Sequence, residues 1–146
     1  MSDSDKFIYG AEEIKSAVKA LIREGKLHHA YMIEGAKGTG KKSLVKYIAY
    51  ELCGGENADE RTIKRISEWS CPDIRLITKE DDKKNISVNS VREMTDDVYL
   101  TPTELDFNIY AFDCAETLST QAQNALLKVI EEPPANVYIF LLCNIR

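Results

Sequence analysis

A glycine-rich loop between two regular elements constrains the fold more than any other feature of this chain. The loop runs from Gly35 to Lys41, after the apolar run Ala30–Ile33 and before a segment of helical periodicity at 43–52. Glycines allow successive backbone N–H groups to converge on phosphate oxygens, and the N-terminus of the helix adds positive partial charge. A strand, such a loop and a helix in that order predict a phosphate-binding loop.

The residues of this loop are the first candidate ligands. Lys41 stands where the lysine of such motifs reaches the β- and γ-phosphates. The next position ordinarily carries a Ser or Thr whose hydroxyl binds Mg²⁺, but here it is Lys42, and Ser43 offers a hydroxyl one residue out of register. The motif therefore predicts a phosphate site without a metal ligand. The candidate phosphate-binding residues are Gly35, Gly38, Thr39, Gly40, Lys41, Lys42 and Ser43.

Lys42 can be interpreted in two ways. In the first turn of a helix a cation faces the positive end of the dipole, at a cost of a few tenths to about 1 kcal/mol. Because this cost is small, the favoured interpretation is that the Lys42 side chain points into solvent. The alternative hypothesis is that its ammonium replaces Mg²⁺ and holds a phosphate without metal.

An acidic residue at the end of a second strand completes the predicted site. Asp113 follows the apolar run Ile109–Phe112, at the carboxyl end where ligands of open α/β sheets bind. The next residue is Cys114, whose ordinary pKa of about 8.5 makes it a poor proton acceptor at neutral pH. Glu116 is two residues further on and is expected to point elsewhere. General base catalysis contributes about 10²–10⁴ in rate, so no intact catalytic residue and little hydrolysis are expected.

Helices and strands alternate along the chain. The strands are apolar runs with little polar alternation, as in sheets that helices cover on both faces. We therefore predict an α/β fold with a mostly parallel, doubly wound sheet flanked by helices. Ser119 or Thr120 is expected to cap the last helix, and Pro102 and Pro133 to close the last two. Helices are predicted at 14–22, 43–52, 63–69, 91–100 and 120–132, and strands at 30–34, 73–77, 109–112 and 137–143.

Composition bounds the class of protein. A chain of 146 residues with 44% hydrophobic content can bury one core, and neither a repeat nor a linker marks a second domain. The net charge of -5 argues against a DNA-binding surface over the whole domain. With no apolar run long enough to cross a bilayer and a polar start at Met1–Lys6, we expect a soluble, cytoplasmic protein.

The cysteines form no metal-binding pattern. They show no Cys-x-x-Cys pair and no cluster with histidine, so buried, reduced thiols are expected rather than disulfides or a zinc site. The mixed charge run Lys79–Lys84 is interpreted as a solvated loop. The cysteines are Cys53, Cys71, Cys114 and Cys143.

Two longer blocks resemble a known family. The segment Leu27–Gly35, running into the loop, is similar to the "HAYLF-G-P-x-G-T-G-K" signature of bacterial DNA polymerase III clamp-loader subunits, which are AAA+ proteins. The block Leu118–Pro134 contains the more specific "N-A-L-L-K-x-x-E-E-P-P" run. Shorter segments are also similar, namely Cys71–Ile74 to "H-P-D", Ser87–Arg92 to "I-x-V-D-x-I-R" and Ile8–Gly10 to "I-V-G", a motif that the resemblance implies is near the adenine. The resemblance implies that residues 1–146 form an N-terminal AAA+ nucleotide-binding domain of P-loop NTPase fold, cut from a longer protein.

Within that family, the departures favour one kind of subunit. AAA+ ATPases place a glutamate directly after the strand-end aspartate, and motor subunits of the gamma/tau type look to need it together with the metal-binding hydroxyl. This chain has Cys114 and Lys42 there, so it looks most like a delta-prime subunit. That resemblance implies a largely non-hydrolysing scaffold, which joins gamma/tau and delta to load the sliding clamp on primed DNA. The alternative is a catalytically active gamma/tau-type ATPase that uses Ser43 in a rearranged metal site. An unrelated P-loop kinase fits the second block poorly.

The resemblance implies further features of the site. Asn144, at the end of the last strand, is the candidate sensor residue. Many relatives carry a four-cysteine zinc module after the loop helix, but 54–70 contains no cysteine, so we predict no zinc. Whether nucleotide binds stays open, with ATP, ADP or phosphate at weak Mg²⁺ dependence as the expected ligands. The arginine finger, lid and collar of a delta-prime subunit would lie beyond residue 146.

Overall fold

The computed structural model describes residues 7–8, 10–79, 83–100 and 102–145, and within these ranges four strands form one sheet. The strand order is β1-β4-β3-β2, and all three neighbouring pairs are parallel. The predicted α/β fold is thereby confirmed. The strands are β1 (Ala30–Gly35), β2 (Ile74–Ile77), β3 (Asn108–Phe112) and β4 (Val137–Asn144).

Five α-helices in the described ranges flank the sheet. One helix precedes each strand except the second strand, which two helices precede, in the order that the sequence predicted, and most bounds lie within a few residues of the predicted ones. The helices are α1 (Glu12–Arg23), α2 (Lys41–Leu52), α3 (Glu60–Ser67), α4 (Val88–Asp97) and α5 (Thr120–Glu131).

The hydrophobic core lies on both faces of the sheet. β3 is buried at all five residues because neighbouring strands and helices enclose it, whereas β1 alternates between half-buried and exposed residues. On one face, side chains of α1, α2 and α3 pack against Ile109 and Phe140. On the other, α4 and α5 pack against Tyr110, Phe112 and Ile139. This two-sided cover makes the sheet doubly wound.

Local caps fix where the helices next to the loop and the second block begin. The Ser119 hydroxyl accepts the Ala122 N–H at 3.1 Å, so Ser119, not Thr120, is the N-cap of α5. Gly40 lies in the left-handed region with φ 89°, which turns the chain into α2 two residues earlier than predicted. Lys41 and Lys42 are therefore the first two residues of that helix.

Several packing predictions are wrong. The apolar face predicted for α1 is buried only at Val18, while Ile14 and Ala17 are exposed, because the helix packs on α2 through a narrow strip. α4 ends at Asp97, where the Leu100 N–H turns back to the Asp97 carbonyl, so Pro102 does not close it and Leu100 is exposed. In α5, Ala125 is half-buried rather than buried.

The thiols are also less buried than expected. All four cysteines are free, but only Cys71 is buried, and Cys53, Cys114 and Cys143 are half-buried. In the predicted charged loop, Lys79, Lys83 and Lys84 are exposed. Glu80–Asp82, the segment Met1–Lys6 and Tyr9 lie outside the described residues. No helix in the described part of the chain is long and apolar enough to span a membrane.

Candidate phosphate-binding site

The glycine-rich loop is held in shape by its own hydrogen bonds. The Thr39 hydroxyl donates to the Ala36 carbonyl at 2.7 Å, and the Thr39 N–H donates to the same oxygen at 3.2 Å. Gly38 adopts φ 83°, in the left-handed region that favours glycine. A β-carbon on Gly35 would lie 2.7 Å from Thr39 Oγ1, so the end of β1 admits only glycine without rearrangement of the loop.

The motif lysine folds back over this loop. Lys41 Nζ donates to the Gly35 carbonyl at 3.0 Å and to the Ala36 carbonyl at 2.9 Å. The side chain is half-buried. These bonds keep its ammonium beside the loop backbone, next to the first turn of α2, where a phosphate group would be bound.

Lys42 reaches across the site to Asp113. Lys42 Nζ lies 3.4 Å from Asp113 Oδ2, and the two side chains are 52% and 21% exposed. Lys42 is thus about half in solvent, as predicted, but its ammonium also lies beside the Asp113 carboxylate, which the prediction did not include. Asp113 is held at the end of β3 by its N–H, which donates to the Ile77 carbonyl at 2.9 Å. The ammonium stands beside the carboxylate that would otherwise face a metal ion.

Cys114 occupies a constrained turn after Asp113. Its backbone is left-handed, with φ 54° and ψ 50°. Burial raises the pKa of the Cys114 thiol above its ordinary value, and the carboxylates of Asp113 and Glu116 raise it further, against weaker opposing effects of Lys79 and Asn144. The thiol is therefore protonated at neutral pH and cannot take a proton from water.

Asn144 lies at the same edge of the sheet because of the strand register. It pairs with Gly35 in the last step of the β1–β4 ladder. Its side-chain amide donates to Cys114 Sγ at 3.4 Å, and its backbone N–H donates to Glu116 Oε1 at 3.0 Å. Glu116 is thus engaged with the end of β4 rather than with the loop, as expected from its spacing.

The predicted residues converge on two adjoining cavities. A cavity of about 410 Å³ is lined by most of them, and Lys37 and Cys114 complete its wall. A second cavity of about 470 Å³ lies beyond the loop and includes Gly35 and Thr39. Both share Gly40, Lys41 and Ser43. The predicted residues lining the first cavity are Gly38, Gly40, Lys41, Lys42, Ser43, Asp113 and Asn144.

Apart from Ile8, which belongs to the segment that resembles the family's "I-V-G" motif, the apolar residues of the second cavity were missed by the sequence reasoning. Its apolar wall is formed by Phe7, Ile8, Ile14 and Ile33. The helical spacing predicts that Ile14 faces the core. Its exposure beside the loop in the structure identifies it as a residue that lines the cavity instead. The wall suits an apolar or aromatic ligand group next to bound phosphate.

Mg²⁺ does not fit this arrangement. The ion prefers near-octahedral oxygen ligands at about 2.0–2.1 Å. Here the position after the motif lysine carries an ammonium instead of a hydroxyl, and that ammonium pairs with Asp113. Across the described ranges, no group of three or more His, Cys, Asp or Glu side chains could hold a metal ion.

An anion fits better. The N-terminus of α2 has no side-chain cap at Gly40, and two lysine ammonium groups flank it. The carboxylate of Asp113 is neutralised by Lys42, and the next residue is a protonated thiol. Chemically, the site can bind phosphate oxygens but is poorly equipped to activate water.

A parallel sheet with a phosphate-binding loop after its first strand and an acidic residue at the end of β3 defines a P-loop NTPase core. Sequence comparison gives the family. The profile described as "DNA polymerase III, delta subunit" matches residues 10–145. The chain belongs to this DNA polymerase III family of bacterial clamp-loader AAA+ proteins, which confirms the resemblance of its two sequence blocks.

Individual relatives agree with this assignment. The chain is 34% identical over 144 residues to DNA polymerase III subunit gamma of Buchnera aphidicola subsp. Schizaphis graminum, covering 94% of this chain and 39% of the relative. It is 33% identical over 141 residues to subunit tau of Bacillus subtilis, covering 92% and 24%. The chain therefore spans about two fifths of these relatives or less.

Solved structures support the fold. A gamma-subunit-related protein of DNA polymerase III from Thermotoga maritima superposes with a TM-score of 0.63 at 19% identity, covering 89% of this chain and 39% of that one. The RuvB K64R mutant from Thermotoga maritima superposes with a TM-score of 0.53 at 16% identity, covering 97% and 41%.

Proposed function

We propose that this chain is the N-terminal nucleotide-binding domain, residues 1–146, of a delta-prime-like clamp-loader subunit with little or no ATPase of its own. In this proposal the cytoplasmic protein braces gamma/tau and delta in the ring that loads the sliding clamp on primed DNA. The observation that carries the proposal is the ion pair between Lys42 and Asp113, 3.4 Å apart.

The ion pair supports the proposal because it removes the metal from the expected reaction. Asp113 holds an ammonium where a hydrolysing site would hold the Mg²⁺ shell. Cys114 supplies a protonated thiol where a general base is needed, and losing a base lowers rates by about 10²–10⁴. Both defects act on hydrolysis and leave the fold intact.

A second candidate is an active gamma/tau-type ATPase. It is favoured by the relatives themselves, which are named gamma and tau subunits at 34% and 33% identity. It would require Ser43, which lines the same cavity, to bind a metal ion beside the Lys42 ammonium. The two candidates therefore differ in steady-state turnover.

The experiment measures ATPase activity of the full protein beside Lys42→Thr, Cys114→Glu and the double variant. We expect wild type and both single variants to stay at background, since each single change repairs one of two defects. Clamp loading with gamma/tau and delta should require this protein. The Lys41→Ala variant should support clamp loading as well as the wild type does. Robust wild-type turnover that Lys41→Ala abolishes would establish the enzyme instead.

A further inference from the structure

The geometry points to Lys42 as a built-in substitute for the divalent cation, so that the site binds a nucleoside triphosphate in its metal-free form. This inference rests on the proposed function only in taking the site as non-hydrolysing. The inference goes beyond the proposed function because it names the ligand and the metal-free form of that ligand.

The two consecutive lysines serve opposite sides of the cavity. Lys41 Nζ is bonded to the carbonyls of Gly35 and Ala36, on the loop side. Lys42 Nζ is 3.4 Å from Asp113 Oδ2, on the side of β3. Phosphate oxygens lying over the first turn of α2 would therefore meet a cation from each side.

The charge of the cavity favours the metal-free anion. Its lining includes three lysines, Lys37, Lys41 and Lys42, and one acidic residue, Asp113. A triphosphate without Mg²⁺ carries two more negative charges than its Mg²⁺ complex, so it gains more from this excess of cations. The ammonium of Lys42 also repels a second cation next to Asp113.

The neighbouring cavity favours a nucleoside over inorganic polyphosphate. It measures about 470 Å³, is walled by Phe7, Ile8 and Ile33, and shares Gly40 and Lys41 with the phosphate side. A base and sugar attached to the phosphate chain would fill this cavity, whereas inorganic triphosphate would leave its apolar wall uncovered.

The test is calorimetric titration of the full protein with ATP in EDTA and in excess Mg²⁺. We expect binding in EDTA that is as tight as in Mg²⁺ or tighter, and weaker binding of inorganic triphosphate. Lys42→Met should weaken binding in EDTA by about 10- to 100-fold, the effect of losing one charged hydrogen bond. Lys19→Met, an exposed lysine on α1, is the matched control and should change nothing.

Several results would overturn the inference. These are binding that requires Mg²⁺, no ATP binding in either buffer, equal binding of inorganic triphosphate, or unchanged affinity in a Lys42→Met variant with a wild-type thermal melt. Clamp loading and ATPase turnover measured on the same preparations keep the two proposals separate. Failure to bind ATP with clamp loading intact removes only this inference, while robust turnover removes the proposed function.

Discussion

The side-chain amide of Asn144 donates to Cys114 Sγ across 3.4 Å, which ties the end of β4 to the turn that follows β3. The backbone N–H of Asn144 extends this tie to Glu116 Oε1. Three residues from two strand ends thus form one polar cluster beside the phosphate-binding loop, and its electrostatics can be measured through the thiol.

Glu116→Gln should lower the pKa of Cys114. A neighbouring carboxylate disfavours the thiolate, and the Glu116 carboxylate contributes to the raised pKa of this thiol, so its removal shifts ionisation to lower pH. Glutamine keeps a side-chain oxygen for the Asn144 N–H. The measurement is the pH profile of iodoacetamide alkylation at Cys114, resolved by peptide mass spectrometry. The midpoint should move down in Glu116→Gln and stay in place in Glu132→Gln, an exposed glutamate. An unmoved midpoint in both would contradict the assigned cause.

Ser119→Ala should destabilise the protein by about 1 kcal/mol, while Thr120→Ala should cost much less. The Ser119 hydroxyl accepts the Ala122 N–H at 3.1 Å, and N-cap replacements by alanine cost about 0.5–2 kcal/mol. Thr120 is the first residue of α5 and its side chain is exposed. Urea denaturation of both variants measures the difference. Equal losses would show that the cap is shared or misassigned.

Leu126→Ala and Leu127→Ala compare adjacent positions on α5. Leu126 is 2% exposed in the core between α5 and the sheet, and Leu127 is 50% exposed. Truncating a buried leucine costs about 2–5 kcal/mol. At the half-exposed neighbour we expect about 1 kcal/mol or less, in proportion to the smaller area buried. A reversed order in thermal or urea melts would mean that α5 is rotated from the orientation described.

Asp73→Asn should cost about 2–4 kcal/mol of folding free energy. The Asp73 carboxylate, 3% exposed, accepts backbone N–H groups from Thr103, Glu104 and Leu105, each at 2.7 Å. Asparagine would present an N–H₂ group to at least one of these donors. Asp106→Asn, an exposed change in the same loop, is the control and should stay within about 0.5 kcal/mol. Similar stabilities for the two variants would mean that the carboxylate is not what holds the loop.

The fold followed from local patterns in the sequence. Apolar runs such as Ile109–Phe112 predicted buried parallel strands because only strands covered on both faces lack polar alternation, and β3 is buried throughout. The pattern was weaker at the edge of the structure. The spacing of Ile14 and Ala17 is the same whether a helix face is buried or lines an open cavity, so periodicity alone could not separate the two.

The same reasoning predicted only part of the candidate site. Strand and loop order located Lys41 and Asp113, since carboxyl ends of parallel strands meet at one edge. The direction of the Lys42 side chain depends on where Asp113 stands across the sheet, which no local pattern encodes. For a related reason, α2 begins two residues before its predicted start. The left-handed turn at Gly40 belongs to the conformation of the loop, and helical periodicity contains no information about it.

Gly35 limits which substitutions the second cavity can accept. Its missing side chain leaves room for the Thr39 hydroxyl, and that hydroxyl closes the turn through the Ala36 carbonyl. Gly35→Ala would therefore displace the Thr39 side chain, on the other side of the turn. The exposed Lys37 can be substituted to change ligand preference. Gly35 and Thr39, in contrast, must be changed together or both kept.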